Sequence, residues 1–233
     1  MSYRKKVTPN FRELMADLKP MTFSEKVDHL WSYYKEWVLI MIIVGLIVSI
    51  AITGFINANK EYLFKGMMVN ISMSQEGYHY LTEDLFAKLT DGSKDQTLQM
   101  DYTNFTSLAD PTSGEDNYNA SLLFIARVSG QLLDCALLDQ LAFEFYLTQE
   151  AYGDWGTFFT KEQLDAMGDK VIYAMQENDT VRWPVAIEVS DMPFFQEHAP
   201  KNDKIYMVLS GNHPDLNAVQ AFWDHLHAWK KAE

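Results

Sequence analysis

The segment Trp37–Ile56 reads WVLIMIIVGLIVSIAITGFI, twenty residues that include no charged side chain. A helix of about 20 apolar residues crosses the roughly 30 Å hydrocarbon core of a bilayer, so this segment has the length of a transmembrane helix. Thirteen of its residues are Val, Leu, Ile or Phe, which favour insertion by about 0.3 to 0.6 kcal/mol each. We therefore predict one transmembrane helix over residues 37–57.

Two other interpretations of the apolar segment are a buried core helix of a soluble protein and a cleaved signal peptide. A core helix that is apolar on every side is rare in a domain of this size. A signal peptide has a short basic region, an apolar core of about 7 to 15 residues and a small-residue cleavage site. Here 36 residues precede an apolar run of twenty. An uncleaved membrane anchor fits these lengths better.

Basic residues predict the orientation of the anchor. Seven basic residues precede the segment, whereas the first twenty residues after it contain only Lys60 and Lys65. Because positively charged segments stay in the cytoplasm, we predict a single-pass protein of the cell membrane with a cytoplasmic N-terminus. Residues 58–233 then form an extracytoplasmic domain. The seven basic residues are Arg4, Lys5, Lys6, Arg12, Lys19, Lys26 and Lys35.

Residues 22–36 are predicted to form a juxtamembrane amphipathic helix, after a cytoplasmic arm over residues 1–21. Thr22 and Glu25 have the spacing of a capping box. The following apolar residues recur on one helical stripe: Phe23, Val27, Leu30, Trp31 and Tyr34. An aromatic belt is predicted at the membrane interface: Trp31, Tyr33, Tyr34 and Trp37. The stripe fits a helix in the lipid interface, and the alternative is a stripe that docks on a partner protein.

Three small residues of the apolar segment, Gly45, Ser49 and Thr53, are spaced by four and share one helix face. Small residues at this spacing let a second helix approach closely. This face predicts a homo- or hetero-oligomer through the transmembrane helix. The alternative is that the small residues have no packing role, because such residues are common in transmembrane helices.

The composition of the outer domain limits its partners. Residues 59–233 carry twelve basic and twenty-seven acidic side chains, whereas residues 1–36 carry seven and five. This acidity argues against nucleic acid or anionic lipid as a partner of the domain. Cys135 is the single cysteine, so no internal disulfide forms, and its apolar neighbours predict a buried side chain.

Alternating strand and helix patterns predict a single α/β domain with a mainly parallel sheet and some antiparallel strands. The loop at 110–117 is polar and rich in turn residues. The helix at 140–148 is predicted to pack through Leu141, Phe145 and Leu147. Predicted strands cover residues 66–73, 98–102, 132–138, 171–175, 185–189 and 205–209, and predicted helices cover residues 75–89, 118–128, 140–148, 161–167 and 216–229.

Two stretches of the domain resemble bacterial extracellular solute-binding proteins. One is SGQLLDCALLDQ at 129–140, followed by FEFY at 143–146 and YGDW at 152–155. The other is IYMVLSGN at 205–212, followed by NAVQAFW at 217–223. The resemblance implies a periplasmic-binding-lobe-like mixed sheet flanked by helices. The domain is short for the two lobes that usually clamp a ligand. The resemblance therefore implies a reduced lobe rather than a complete transport protein.

The stretch FSEKVDHLWSYYKEW at 23–37 resembles uncharacterised single-pass proteins of Gram-positive anaerobes. This second resemblance implies a bacterial cell-surface setting. The outer domain would then meet envelope proteins or small molecules outside the cell.

Candidate binding residues come from two groups. Asp101 and Asp139 are predicted to lie where strands end, the edge at which ligands of α/β sheets gather. The alternative is that both aspartates serve as turn residues. Aromatic residues in predicted loops form the second group, and the alternative for them is burial against the core. The aromatic candidates are Tyr152, Trp155, Trp183 and Phe194.

The sequence predicts no catalytic residue, metal site or cofactor. It contains no nucleophile elbow, zinc-protease, P-loop or dinucleotide-binding motif. His225 and His227 are two residues apart, which is not a recognised metal spacing. We therefore predict a non-enzymatic, membrane-anchored protein that binds a small molecule or another envelope protein. The alternatives are a structural or accessory subunit of a membrane complex and, as a third candidate, a membrane-tethered hydrolase.

Overall fold

The computed structural model describes residue 20 and residues 22–58, 60–104, 114–149, 151–175 and 181–231. The chain divides into two compact units, Met1–Asn59 and Lys60–Glu233. Of the predicted cytoplasmic arm, residues 1–19 and 21 lie outside the described residues. Half of the predicted polar loop, residues 110–113, lies outside them as well.

The described part of the first unit forms a long helix, α1 (Phe23–Ala58), of 36 residues. The Glu25 carboxylate accepts hydrogen bonds from the Thr22 backbone N–H at 2.8 Å and from its hydroxyl at 2.7 Å. These bonds lower the pKa of Glu25 and supply half of the predicted capping box. Within the described residues, the one segment long and apolar enough to span a membrane is Lys35–Phe55, and none of it is buried.

The second unit is built on a six-stranded mixed sheet with helices on both faces, which confirms the predicted α/β class. The strands are β1 (Glu61–Val69), β2 (Gln96–Thr103), β3 (Cys135–Leu138), β4 (Val171–Ala174), β5 (Trp183–Glu188) and β6 (Tyr206–Leu209). Their order across the sheet is β2-β1-β3-β6-β5-β4. β1 is parallel to β2 and β3, whereas the pairs β3/β6, β6/β5 and β5/β4 are antiparallel. The predicted mainly parallel sheet is therefore wrong.

The helices of this unit connect the strands across both faces. A π-helical turn (Tyr80–Asp84) joins the first two helices into one continuous segment. The helices are α2 (Gln75–His79), α3 (Leu85–Leu89), α4 (Gly114–Ser129), α5 (Gln140–Leu147), α6 (Lys161–Met167), α7 (Pro193–His198) and α8 (Leu216–Ala228).

Two apolar layers enclose the sheet because successive strand residues point to opposite faces. In β3, Cys135 and Leu137 join the layer under α2, α3, α6, α7 and α8, while Ala136 and Leu138 join the layer under α4 and α5. The predicted burial of Cys135 is confirmed, and this burial raises the pKa of its thiol.

Several element boundaries and faces differ from the predictions. The first strand ends at Val69, not at residue 73, because the backbone of Asn70 turns into the left-handed region with φ of 60°. Helix α5 does not pack through Leu141, which is 39% exposed, but buries Ala142, Phe143 and Tyr146. The predicted packing of Phe145 and Leu147 is confirmed, since both are partly buried against the same layer. Helix α7 was not predicted.

Candidate functional site

The carboxyl ends of β1 and β3 form the point where the connections of the sheet diverge. From β1 the chain runs through α2 and α3 on one face to β2, whereas from β3 it enters α5 on the other face. In open α/β sheets, ligands bind in the crevice beside such a switch point. Asn70 follows β1 and Asp139 follows β3, so these two residues mark the crevice.

Asn70 and Asp139 are joined by a hydrogen bond. The Asn70 side-chain amide donates to Asp139 Oδ2 at 3.1 Å, and the second carboxylate oxygen accepts from the Ala142 backbone N–H at 2.8 Å. Asp139 therefore caps α5 as a turn residue and holds the left-handed Asn70 at the same time. Non-glycine residues with positive φ cost conformational energy and occur often at functional sites.

A cavity of about 470 Å³ opens beside this junction. Its volume lies within the range of small-molecule sites. Both signs of charge line it, from the first turns of α5 and from the loop before β6. The lining residues are Asp139, Gln140, Leu141, Glu144, Lys201, Asn202, Asp203 and Lys204.

The loop that carries the two lysines of the cavity is fixed to the switch point. The Asn202 side chain accepts a hydrogen bond from the Ser72 N–H at 3.2 Å and donates to the Ser72 carbonyl at 2.9 Å. Lys204 lies 3.5 Å from the Glu188 carboxylate, and the phenol of Tyr206 and this carboxylate raise the pKa of Lys204. The cavity thus combines a fixed wall with side chains of both charges.

The structure does not gather the predicted binding residues into one pocket. Asp101 lies within β2, where it accepts from Arg127 at 2.7 Å on a partly buried surface. Trp155 and Phe194 are fully buried in one apolar layer, whereas Tyr152 is buried in the opposite layer and Trp183 packs against it. The Tyr152 hydroxyl donates to the Phe143 carbonyl at 2.8 Å. Of the six candidates, Asp139 lines the cavity beside the switch point, and the other five do not.

A larger groove, of about 630 Å³, lies on the face that carries α2 and α7. In it, Ser74 Oγ lies 2.9 Å from His198 Nδ1 and accepts the Gly77 N–H at 3.1 Å. The serine can therefore donate its proton to the histidine, as a nucleophile donates to a base. Among the described residues, no hydrogen bond joins His198 to a carboxylate that would orient it.

No protein-family model, curated protein or solved structure matches this chain. Function must therefore be inferred from the geometry of the chain itself. Among the described residues, no group of three or more His, Cys, Asp and Glu side chains is arranged to hold a metal ion. His225 in particular is buried and bonded to Lys88 and the Tyr80 carbonyl.

On α1, the predicted packing face is open. Gly45, Ser49 and Thr53 are exposed, and no atom lies within 4 Å of the position that a Gly45 Cβ would occupy. Of the predicted aromatic belt, Trp31 and Trp37 are 53% and 62% exposed. Tyr33 and Tyr34 lie in the same helix.

Sequence reasoning missed Asn70, Lys201 and Lys204. Asn70 stands directly after the apolar run Met67–Val69, and asparagine tolerates the left-handed conformation that ends a strand. That signal was available in the sequence. The two lysines had no local signal, since only the tertiary fold brings residues 201–204 beside α5.

Proposed function

We propose that this chain is a single-pass membrane protein with a cytoplasmic N-terminus, whose outer α/β domain binds a small zwitterionic ligand without transforming it. The observation that carries the proposal is the cavity at the switch point, which Asp139 lines and which contains groups of both charges. The resemblance to a reduced solute-binding lobe supports the same assignment.

The anchor part of the proposal depends on the exposed apolar helix. The segment Lys35–Phe55 covers 21 residues, and none of them is buried. Leaving such a surface in water is costly, at about 25 cal/mol per Å² of apolar area, so lipid or other helices must cover it. The excess of basic residues before this helix supports the cytoplasmic N-terminus.

The ligand class follows from the charges of the cavity. Lys201 and Lys204 can bind a carboxylate, and Asp203 and Glu144 can bind an ammonium group. A ligand with a single charge would pair only with the two lysines or only with the two acids. An amino acid or a short peptide, with both groups close together, satisfies both pairs.

The test uses the full chain in lipid nanodiscs. Thermal unfolding and calorimetry are measured with alanine and glycylglycine, and with acetate and ethylamine as probes of a single charge. We expect stabilisation by one or both zwitterions and none by the single-charge probes. An unchanged unfolding temperature with every probe would refute the ligand class.

Lys201→Glu provides the site-specific variant. It places an acid where we expect the carboxylate of the ligand, and the loss of a charged hydrogen bond should weaken binding about tenfold or more. Lys161→Glu, on the exposed surface of α6, makes the same change of charge away from the cavity. Equal affinity of the two variants would place the ligand elsewhere.

A second function is favoured by the open face of α1, namely that of a subunit in a membrane complex. Gly45, Ser49 and Thr53 would then pack on a partner helix. Gly45→Leu fills the face with a large side chain, and we expect it to remove a partner that co-purifies with the wild type in detergent. A partner retained by both Gly45→Leu and Ser49→Leu would exclude this interface.

A further inference from the structure

Helix α1 is longer than a membrane requires. Its 36 residues span about 54 Å at 1.5 Å per residue, whereas about 20 residues cross the hydrocarbon core. With Lys35–Phe55 in the membrane, the residues from Phe23 to Tyr34 extend about 18 Å beyond the hydrocarbon. Phe23 then lies beyond the headgroup layer as well, so its apolar side chain, which is 83% exposed, would face water.

The sequence of α1 contains no site at which this extension would bend into the plane of the membrane. Sharp bends in helices occur at proline, at glycine and serine pairs or at π-bulges. From Phe23 to Val44 there is neither proline nor glycine, and the helix is α-helical throughout. The extension therefore continues along the axis of the membrane segment and leaves the lipid.

Apolar residues follow the extension at spacings of four, three, four and three: Phe23, Val27, Leu30, Tyr34 and Trp37. This average spacing of 3.5 residues is the mark of a coiled-coil seam. The same spacing continues through the membrane segment at Met41, Val44, Val48, Ala51 and Phe55. The seam is thus longer than four heptads.

A second copy of the chain meets this seam with matching geometry. Copies anchored in one membrane share direction and depth, so their seams are parallel, in register and concentrated in two dimensions. Valine at position 27 and leucine at position 30 are the pattern that favours two strands. In a parallel pair, position 26 of one helix lies beside position 31 of the other. Lys26 of one copy then lies beside Trp31 of the other, which is a favourable cation–π pairing. No like charges lie opposite each other at the positions that flank the seam.

We infer that residues 23–37 of two copies form a parallel coiled coil on the cytoplasmic side of the membrane. This inference uses the proposed anchor and orientation, but it does not depend on the ligand cavity. It assigns the juxtamembrane stripe to a protein partner rather than to the lipid interface.

Cysteine cross-linking of the full chain in membranes tests the inference. Val27→Cys and Leu30→Cys place thiols on the seam, and His29→Cys and Ser32→Cys place them on the opposite side of the helix. We expect about tenfold more disulfide dimer from the seam variants after mild oxidation, because seam positions face each other across a coiled coil. Cys135 is buried, so the chain without a new cysteine serves as the background.

Three results would overturn the coiled coil. The first is equal dimer formation by the seam variants and by the variants on the opposite side of the helix. The absence of dimer from the seam variants, with the oxidant and also with a bismaleimide cross-linker, counts as the same result. The second is a cross-linked product whose mass is not twice that of the chain. The third is a spin label at position 27 or 30 that is accessible to lipid-dissolved oxygen. Extraction of the protein by alkaline carbonate would instead refute the membrane anchor. This measurement therefore distinguishes a failure of the proposed anchor from a failure of the coiled coil.

Discussion

At the scale of single residues, His225 shows how two bonds fix the state of a buried side chain. Lys88 can only donate, at 2.8 Å to Nδ1, and the Tyr80 carbonyl can only accept, at 2.7 Å from Nε2. His225 is therefore neutral with its proton on Nε2. Burial lowers the pKa of His225, and the charge of Lys88 lowers it further. The Tyr80 hydroxyl donates back to the His225 carbonyl at 2.8 Å, which ties the π-helical turn to α8.

Stability should fall when the pH drops below about 6.5, the pKa of an unfolded histidine. In that range the unfolded chain binds a proton at His225 and the folded chain does not, so the free energy of unfolding decreases. The decrease is at most about 1.4 kcal/mol per pH unit and ends below the lowered pKa of the folded state. Denaturant titrations of the full chain in detergent, followed by tryptophan fluorescence from pH 8 to pH 5, measure it. His225→Gln should remove this decrease in the free energy of unfolding, whereas the exposed control His227→Gln should keep it. An equal dependence of stability on pH in the two variants would contradict the neutral state of His225.

At the scale of elements, Gly77 sets the distance between α2 and α7. A Cβ at this position would lie 2.6 Å from His198 Cβ and 2.9 Å from His198 Cγ, which is too close without a shift of α7. Alanine favours a helix over glycine by about 1 kcal/mol, but overpacking costs about 1 to 3 kcal/mol. We expect Gly77→Ala to lower the free energy of unfolding by denaturant, while Gln75→Ala on the exposed side of α2 changes it by less than about 0.5 kcal/mol. A Gly77→Ala protein more stable than the wild type would show that α7 moves without cost.

Elements with a strong hydrophobic period could be predicted from the sequence, whereas the directions of the strands and the short helix α7 could not. The predicted helix at 75–89 matches the segment from α2 to α3, because Leu81 and Leu85 are spaced for one buried face. The strand β6 has four residues that are buried on both faces, and such a run fits a parallel or an antiparallel neighbour equally well. Helix α7 has six residues, too few to establish a helical period, so the sequence predicts a loop at Phe194.

At the scale of the whole molecule, the candidate site depends on topology rather than on local sequence. The Asn70–Asp139 junction exists because β1 and β3 are neighbours in the sheet, although 69 positions separate the two residues along the chain. Asp139 could be predicted because it follows a buried apolar run. The cavity beside it could not, since its lysines belong to a loop that only the antiparallel return of β6 places there.

The orientation of the chain is the largest-scale property that the sequence predicts, and the prediction depends on the basic residues next to the apolar segment. Lys19, Lys26 and Lys35 lie closest before the apolar segment, and positive charge within about 20 residues of a transmembrane helix has the strongest effect. In intact cells we expect added protease to digest the domain of the wild type. Replacing these three lysines by glutamine leaves Lys60 and Lys65 as the nearest basic residues, so a fraction of the molecules should invert and become protected. A control with Lys161, Lys170 and Lys201 replaced by glutamine changes the net charge equally, far along the chain from the apolar segment, and should remain fully digested. A wild-type domain that resists the protease until the cells are lysed would reverse the proposed orientation and, with it, the cytoplasmic position of the coiled coil.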